Sequence, residues 1–199
     1  MNEKISEAIT RKMLMGLNEE KLTYIKIQFY IETMLSEIEK ITILLVALGI
    51  MGEIQNFIMI YIIAILIRRY SGGNHCKTFM GCLFYSYVIC CGIVIMVKNC
   101  EFMWESIMPI VIFAHLVVMV MLAPINSDFR PTLNAEDVIK LKIKGVLGIL
   151  IAYVMYCILD AYEKVIFLTL LFLLIDEIVA CGLNYLRMKG VIRNEKNDC

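Results

Sequence analysis

Only two histidines occur among the 199 residues, His75 and His115, and they lie far apart. A structural zinc site needs clustered Cys and His ligands, and none of the eight cysteines forms a C-x-x-C pair. No metal or other cofactor is therefore expected. The cysteines sit mostly within apolar stretches, which does not resemble a secreted disulfide framework. Cys90, Cys91, Cys157 and Cys181 read as small hydrophobic filler. An excess of either charge is also lacking. Nineteen basic residues face nineteen acidic ones, so nothing favours nucleic acid as a partner. The opening "MNEKISEAITRKMLMGLNEEKLTYIK" has no continuous apolar core and no small-residue cleavage site, so no signal peptide is expected there.

What the chain has in excess is apolar surface. Hydrophobic residues make up 60% and the mean hydropathy is +0.77, against roughly 45–50% apolar content in ordinary soluble domains. The excess is gathered in blocks. This predicts an all-α polytopic membrane protein, with about six transmembrane helices preceded by amphipathic helices. The expected organisation is a single membrane domain over 1–199, with amphipathic helices in 2–38, a transmembrane bundle in 39–185 and a cytoplasmic tail in 186–199. In the first segment Ile5, Ile9, Met13 and Leu17 recur every four residues, and Gly16 to Glu20 reads as a turn before a second amphipathic helix. Residues 41–67 form an apolar run longer than the roughly 20 residues of one untilted span. "GEIQN" interrupts it, and two spans joined by a tight turn are expected, with a single tilted or kinked span as the alternative. The remaining blocks are Phe79–Val97, Ile107–Ala123, Ile143–Leu159 and Val165–Leu183, and "LDAYEK" makes the last two a helical hairpin.

The basic residues between blocks alternate in density. Arg68, Arg69 and Lys77, then Arg130, Lys140, Lys142 and Lys144, then Arg187, Lys189, Arg193 and Lys196 fall in one set of loops, and only Lys98 and Lys164 in the other. The richer set is expected on the cytoplasmic side. With six spans, both termini and the gap at residues 68–82 face the cytoplasm.

That gap, "RRYSGGNHCKTFMGC", concentrates reactive side chains between two apolar blocks. Cys82 falls at the start of a span, where helix N–H groups and the helix dipole favour a thiolate. His75 precedes it by seven residues, a separation of about 10.5 Å along one straight helix. That is far beyond the roughly 3 Å of direct proton transfer. A dyad therefore requires a break in the chain between Gly72 and Met80, or contact across a dimer. Cys76 is the competing thiol. Arg68 and Arg69 read as membrane-end anchors, or as a clamp for a substrate carboxylate or an oxyanion. Ser86 lies one turn after Cys82 on the same face, where its hydroxyl can also bond its own helix backbone. Asp176 and Glu177 lie inside the last span, where a carboxylate is a functional suspect. They could orient His75, bind substrate amines or pair with Arg187. His115 reads as a packed, hydrogen-bonded span residue.

The pattern Arg68-x4-Gly73-x-His75-x6-Cys82-x3-Ser86, set between membrane spans, resembles the accessory gene regulator B family. The segment "LAPINSDFRPTLNAED" at 122–137 is similar to that family's Ala-Pro-containing loop. The resemblance implies a bacterial membrane cysteine endopeptidase that processes a quorum-sensing propeptide. It implies Cys82 as nucleophile, His75 as its partner, and supporting roles for Arg68 and Gly73. Its implied substrate has an amphipathic N-terminal helix, a central signal segment and an acidic C-terminal tail. A homodimer in the lipid bilayer of the cytoplasmic membrane is implied as well. The chain departs from the family at Cys76, where a small residue is common.

Two other classes stand beside this one. A small peptide or ion transporter would use His115, Asp176 and Glu177 as midplane polar sites, although no Gly/Pro-broken inverted repeat is apparent. A non-catalytic membrane assembly protein would need none of these side chains.

Overall fold

The structure is a computed structural model that describes residues 2–13, 21–72, 78–99, 104–124 and 135–188. All regular secondary structure among them is helical. The elements are α1 (Asn2–Met13), α2 (Lys21–Ile50), α3 (Ile54–Ser71), α4 (Phe79–Asn99), α5 (Trp104–Met121), α6 (Ala135–Ile158), a 3-10 turn (Asp160–Tyr162) and α7 (Glu163–Met188). They fall into two compact units, residues 1–54 and 55–199.

In the first unit α1 packs along α2. The side of α1 that is buried carries Ser6 and Thr10, with the Thr10 hydroxyl donating to the Ser6 carbonyl at 2.7 Å. Ile5 and Ile9, of the apolar stripe, are exposed. The expected turn at Gly16 to Glu20 lies outside the described residues. Helix α2 is one continuous helix of 30 residues, about 45 Å long at 1.5 Å per residue. The change from polar to apolar sequence near residue 38 falls inside it. "SEIEK" contains no Gly or Pro, and Glu and Lys are good helix formers. A Lys40–Glu37 pair at 2.6 Å further joins this turn.

The helix ends where "GEIQN" was expected to break the chain. Gly52 has a φ of 75°. Its N–H donates to the Gly49 carbonyl at 3.0 Å, and the Glu53 N–H reaches back to the Leu48 carbonyl at 2.8 Å. This is a Schellman cap, which closes the last carbonyls of a helix and requires a left-handed residue. Glycine meets that requirement without the steric cost a Cβ would bring.

In the second unit α7 packs against α4, α5 and α6, and more than half of its apolar stretch is buried. Two contacts define how α3 runs relative to it. Tyr162 donates to the Gln55 side-chain oxygen at 3.2 Å, and Arg68 pairs with Asp176 at 3.3 Å. The second contact lies about 20 Å further along both segments, so α3 and α7 are parallel and nearly in register. The α6–α7 hairpin expected from "LDAYEK" is present, turned by the 3-10 segment. Helix α6 approaches α3 closely at Gly148, where an added Cβ would overlap the Leu66 carbonyl oxygen. Small residues allow such backbone approach between helices in membranes. Lys142 of α6 donates to the Val120 carbonyl in the last turn of α5 at 2.6 Å, where a cation suits the helix dipole.

Among the described residues four helices are long and apolar enough to cross a membrane: α3, α4, α6 and the segment Asp160–Leu183 of α7. The other two expected spans correspond to α5, whose apolar segment Glu105–Met121 is shorter, and to the apolar C-terminal part of α2.

Candidate functional site

The helices on either side of the reactive gap end and begin with defined caps. Arg68 lies in the last turn of α3, which finishes at Gly72 with φ 90° and a bond from its N–H to the Arg68 carbonyl at 3.1 Å. The next helix starts after Thr78. The Gly81 N–H donates to the Thr78 hydroxyl and the Cys82 N–H to the Thr78 carbonyl, both at 3.1 Å. Thr78 is thus an N-cap, satisfying a backbone donor that the helix itself leaves open. Cys82 is the fourth residue of α4 and sits half-buried in its first turn, outside any disulfide. Ser86, half-buried as well, is one turn further along the same helix face. His75 and Gly73, together with Cys76, lie outside the described residues. Of the break expected between Gly72 and Met80, Gly72 and Thr78 are non-helical, while Phe79 and Met80 already belong to α4.

Asp176 joins the two flanking helices. Its Oδ2 lies 3.3 Å from the Arg68 guanidinium and its Oδ1 accepts the Tyr85 hydroxyl at 2.7 Å. Arg68 comes from α3, Tyr85 from α4 and Asp176 from α7, so one carboxylate ties three helices together. Asp176 is almost fully buried, while the Arg68 side chain keeps 28% of its exposure. A buried carboxylate is tolerated only when paired and hydrogen-bonded, and here both oxygens have partners. Tyr85 is three residues after Cys82, hence on the same side of α4. The thiol-bearing turn and the arginine of the gap are therefore linked through Asp176.

The next residue makes a separate pair. Glu177 Oε2 lies 3.2 Å from His115 Nδ1 of α5, and His115 Nε2 is 2.7 Å from the Leu170 carbonyl. His115 is wholly buried and Glu177 nearly so, at 2% exposure. A carbonyl only accepts, so Nε2 carries a proton. The contact is not an aligned hydrogen bond: Nδ1 and both Glu177 oxygens have no hydrogen-bond partner among the described residues.

The sequence pointed to Asp176 and Glu177 as buried carboxylates but not to their partners. Asp176 pairs with Arg68, and Glu177 faces His115; the Arg187 side chain lies outside the described residues. Tyr85 was not anticipated. Its signal was a phenol within an apolar span at i+3 from Cys82. No group of three or more His, Cys, Asp and Glu side chains capable of holding a metal ion occurs among the described residues.

Membrane-length apolar helices with acid–base pairs buried between them define a multi-pass membrane protein with a polar site inside its helix bundle. The chain belongs to the accessory gene regulator B family, whose sequence profile, "Accessory gene regulator B", matches residues 2–179. A putative AgrB-like protein of Clostridium beijerinckii is 26% identical over 178 residues, covering 89% of this chain and 85% of that protein. No solved structure matches. Family membership supports a role in the agr quorum-sensing system.

Proposed function

We propose that the protein is a membrane cysteine endopeptidase. It removes the acidic C-terminal tail of an autoinducer propeptide and closes the remaining signal segment into a thiolactone or lactone. The observation that carries this reading is the position of Cys82. It occupies the capped first turn of α4, beside the Tyr85 that joins the Arg68–Asp176 pair. Family membership supports it independently.

In the proposed reaction the Cys82 thiolate attacks the backbone carbonyl at the boundary between signal and tail. Arg68 stabilises the oxyanion or holds a substrate carboxylate. The C–N bond breaks, His75 protonates the departing amine, and a thioester joins the signal segment to Cys82. A Cys or Ser side chain within the substrate then attacks the thioester, giving its proton to His75, and the Cys82 thiolate departs. Exclusion of water near a membrane surface favours this internal attack over hydrolysis. Gly73 supplies backbone freedom to the segment carrying His75, and Ser86 supports the nucleophile's helix face.

The proposed setting is the bacterial cytoplasmic membrane, with the protein as a homodimer, both termini in the cytoplasm and the site on the cytoplasmic side. The uneven distribution of basic residues supports this orientation. The parallel run of α3 and α7 agrees with it, since the Arg68–Asp176 pair lies about 20 Å from the lysine-poor turn at 160–164.

Purified protein incubated with the propeptide provides the test. Cys82→Ala should abolish tail release, His75→Ala should slow it by about 10²–10⁴-fold, the usual worth of general acid–base catalysis, and Cys76→Ser should retain most activity. An active Cys82→Ser protein together with an inactive Cys76→Ser protein would reverse the choice of nucleophile.

A further inference from the structure

We infer that Asp176 is a positioning residue for the reaction, acting through Arg68 and assisted by Tyr85. This rests on the peptidase reading and adds a third element to it. Asp176 lies 94 residues beyond Cys82 in the chain and belongs to none of the motif positions around it.

The argument starts from the number of constraints one carboxylate imposes. Oδ2 faces the Arg68 guanidinium from the last turn of α3 and Oδ1 takes the Tyr85 hydroxyl from the second turn of α4. Helices α3 and α4 flank the segment that begins at Gly72 and ends at Thr78. Their separation determines what that segment spans, and their rotation determines which way the Cys82 thiol and the Arg68 guanidinium face. Residues 82 and 85 lie on one side of α4, so holding the Tyr85 phenol restrains rotation of the turn that carries Cys82.

Charge leads to the same assignment. A lone arginine in the apolar part of a bundle would move toward water along its flexible stem. The buried Asp176 carboxylate holds it in place and neutralises it. With 28% of its side chain still exposed, Arg68 can reach an oxygen of a substrate while Asp176 orients it. The ligand class is an anionic oxygen that forms in the transition state, the oxyanion of the attacked carbonyl.

The test uses the full-length protein in detergent with its propeptide. Asp176→Asn keeps an acceptor for Tyr85 and removes the charge that holds Arg68. Expected is a fall in kcat of about 10–100-fold, the scale of a misplaced catalytic group, with KM changed less than about threefold. Loss of kcat without loss of binding marks an interaction made in the transition state. Arg68→Gln should give a similar fall, and the double variant should be no worse than the poorer single, because the two act as one unit. The reversed pair, Arg68→Asp with Asp176→Arg, separates positioning from stability. Its melting temperature should recover toward wild type, while kcat stays low because the cation now projects from α7. Recovery of kcat by the reversed pair would overturn the inference and leave a purely structural ion pair. If the charge variants do not fold, Tyr85→Phe decides. It leaves the ion pair in place, and the inference requires a severalfold lower kcat in folded protein, whereas wild-type kcat overturns it. A wild-type protein whose tail release does not depend on Cys82 would instead refute the peptidase reading. Cys82-dependent release with wild-type kcat in Asp176→Asn would refute only the role of Asp176.

Discussion

His115 faces Glu177 across the α5–α7 contact at 3.2 Å, while its other ring nitrogen is held by the Leu170 carbonyl at 2.7 Å. His115→Leu leaves a buried carboxylate without that partner, and breaking a buried pair costs about 3–5 kcal/mol. The single variant should show a clearly lower melting temperature in detergent. Replacing both residues with leucine should recover most of the loss, since apolar replacements of a buried pair are often neutral. A His115→Leu protein that melts like wild type would show that the pair contributes nothing to stability.

Gly148 and Gly92 provide a matched comparison. A Cβ at Gly148 would overlap the Leu66 carbonyl oxygen of α3, whereas a Cβ at Gly92 of α4 meets nothing within 4 Å. Gly148→Ala should cost about 1–3 kcal/mol, as overpacking does. Gly92→Ala should be neutral or stabilising by up to about 1 kcal/mol, because alanine loses less entropy in a helix. Thermal unfolding of the two variants measures the difference, and equal melting temperatures would contradict the close approach of α3 and α6.

The proposed thioester can be trapped. Replacing the ring-closing Cys or Ser of the propeptide with Ala removes the internal nucleophile, and the adduct should accumulate because water reaches it poorly. Mass spectrometry should find the signal segment, without its tail, on Cys82. Neutral hydroxylamine should release it, and Cys82→Ala should show none. A simple hydrolase would give a linear acid product and no lasting adduct.

Orientation can be read with a thiol reagent that does not cross membranes. In intact cells it should label Cys100 and should label Cys199 only after lysis, as the basic-residue asymmetry requires. Labelling of Cys199 in intact cells would overturn the proposed topology.

The helical class, the later apolar helices and the break near Gly52 could all be read from the sequence, because each depends on local composition. The fate of "SEIEK" could not. Its polarity suggested a boundary, but polarity alone does not end a helix when the residues are good helix formers and pair at i, i+3. The every-four-residue recurrence of Ile5 and Ile9 did not say which side of α1 packs: Ser6 and Thr10 are buried while Ile5 and Ile9 are exposed. Within the site, the polar-to-apolar change near Phe79 gave the position of Cys82 in a first helical turn. The partners of Asp176 and Glu177 come from positions 68, 85 and 115. Such long-range pairing leaves no trace in local pattern. Adjacent residues on a helix point about 100° apart, so two neighbouring acids face different helices.

Helix α7 follows α3, α4 and α5 in the chain, and the ribosome makes it after them. Arg68, Tyr85 and His115 therefore enter the membrane before the two carboxylates they will meet exist. Early in biogenesis a cation, a phenol and an imidazole must be accommodated by lipid headgroups, water or the insertion machinery. Arrival of α7 supplies both acids in one step, so completion of the polar site coincides with completion of the bundle. A ribosome stalled before codon 176 would hold a nascent protein with Cys82 already in place but with Arg68 not yet held by its acid. On the proposed reading, competence for chemistry is in this way tied to having translated almost the whole described chain.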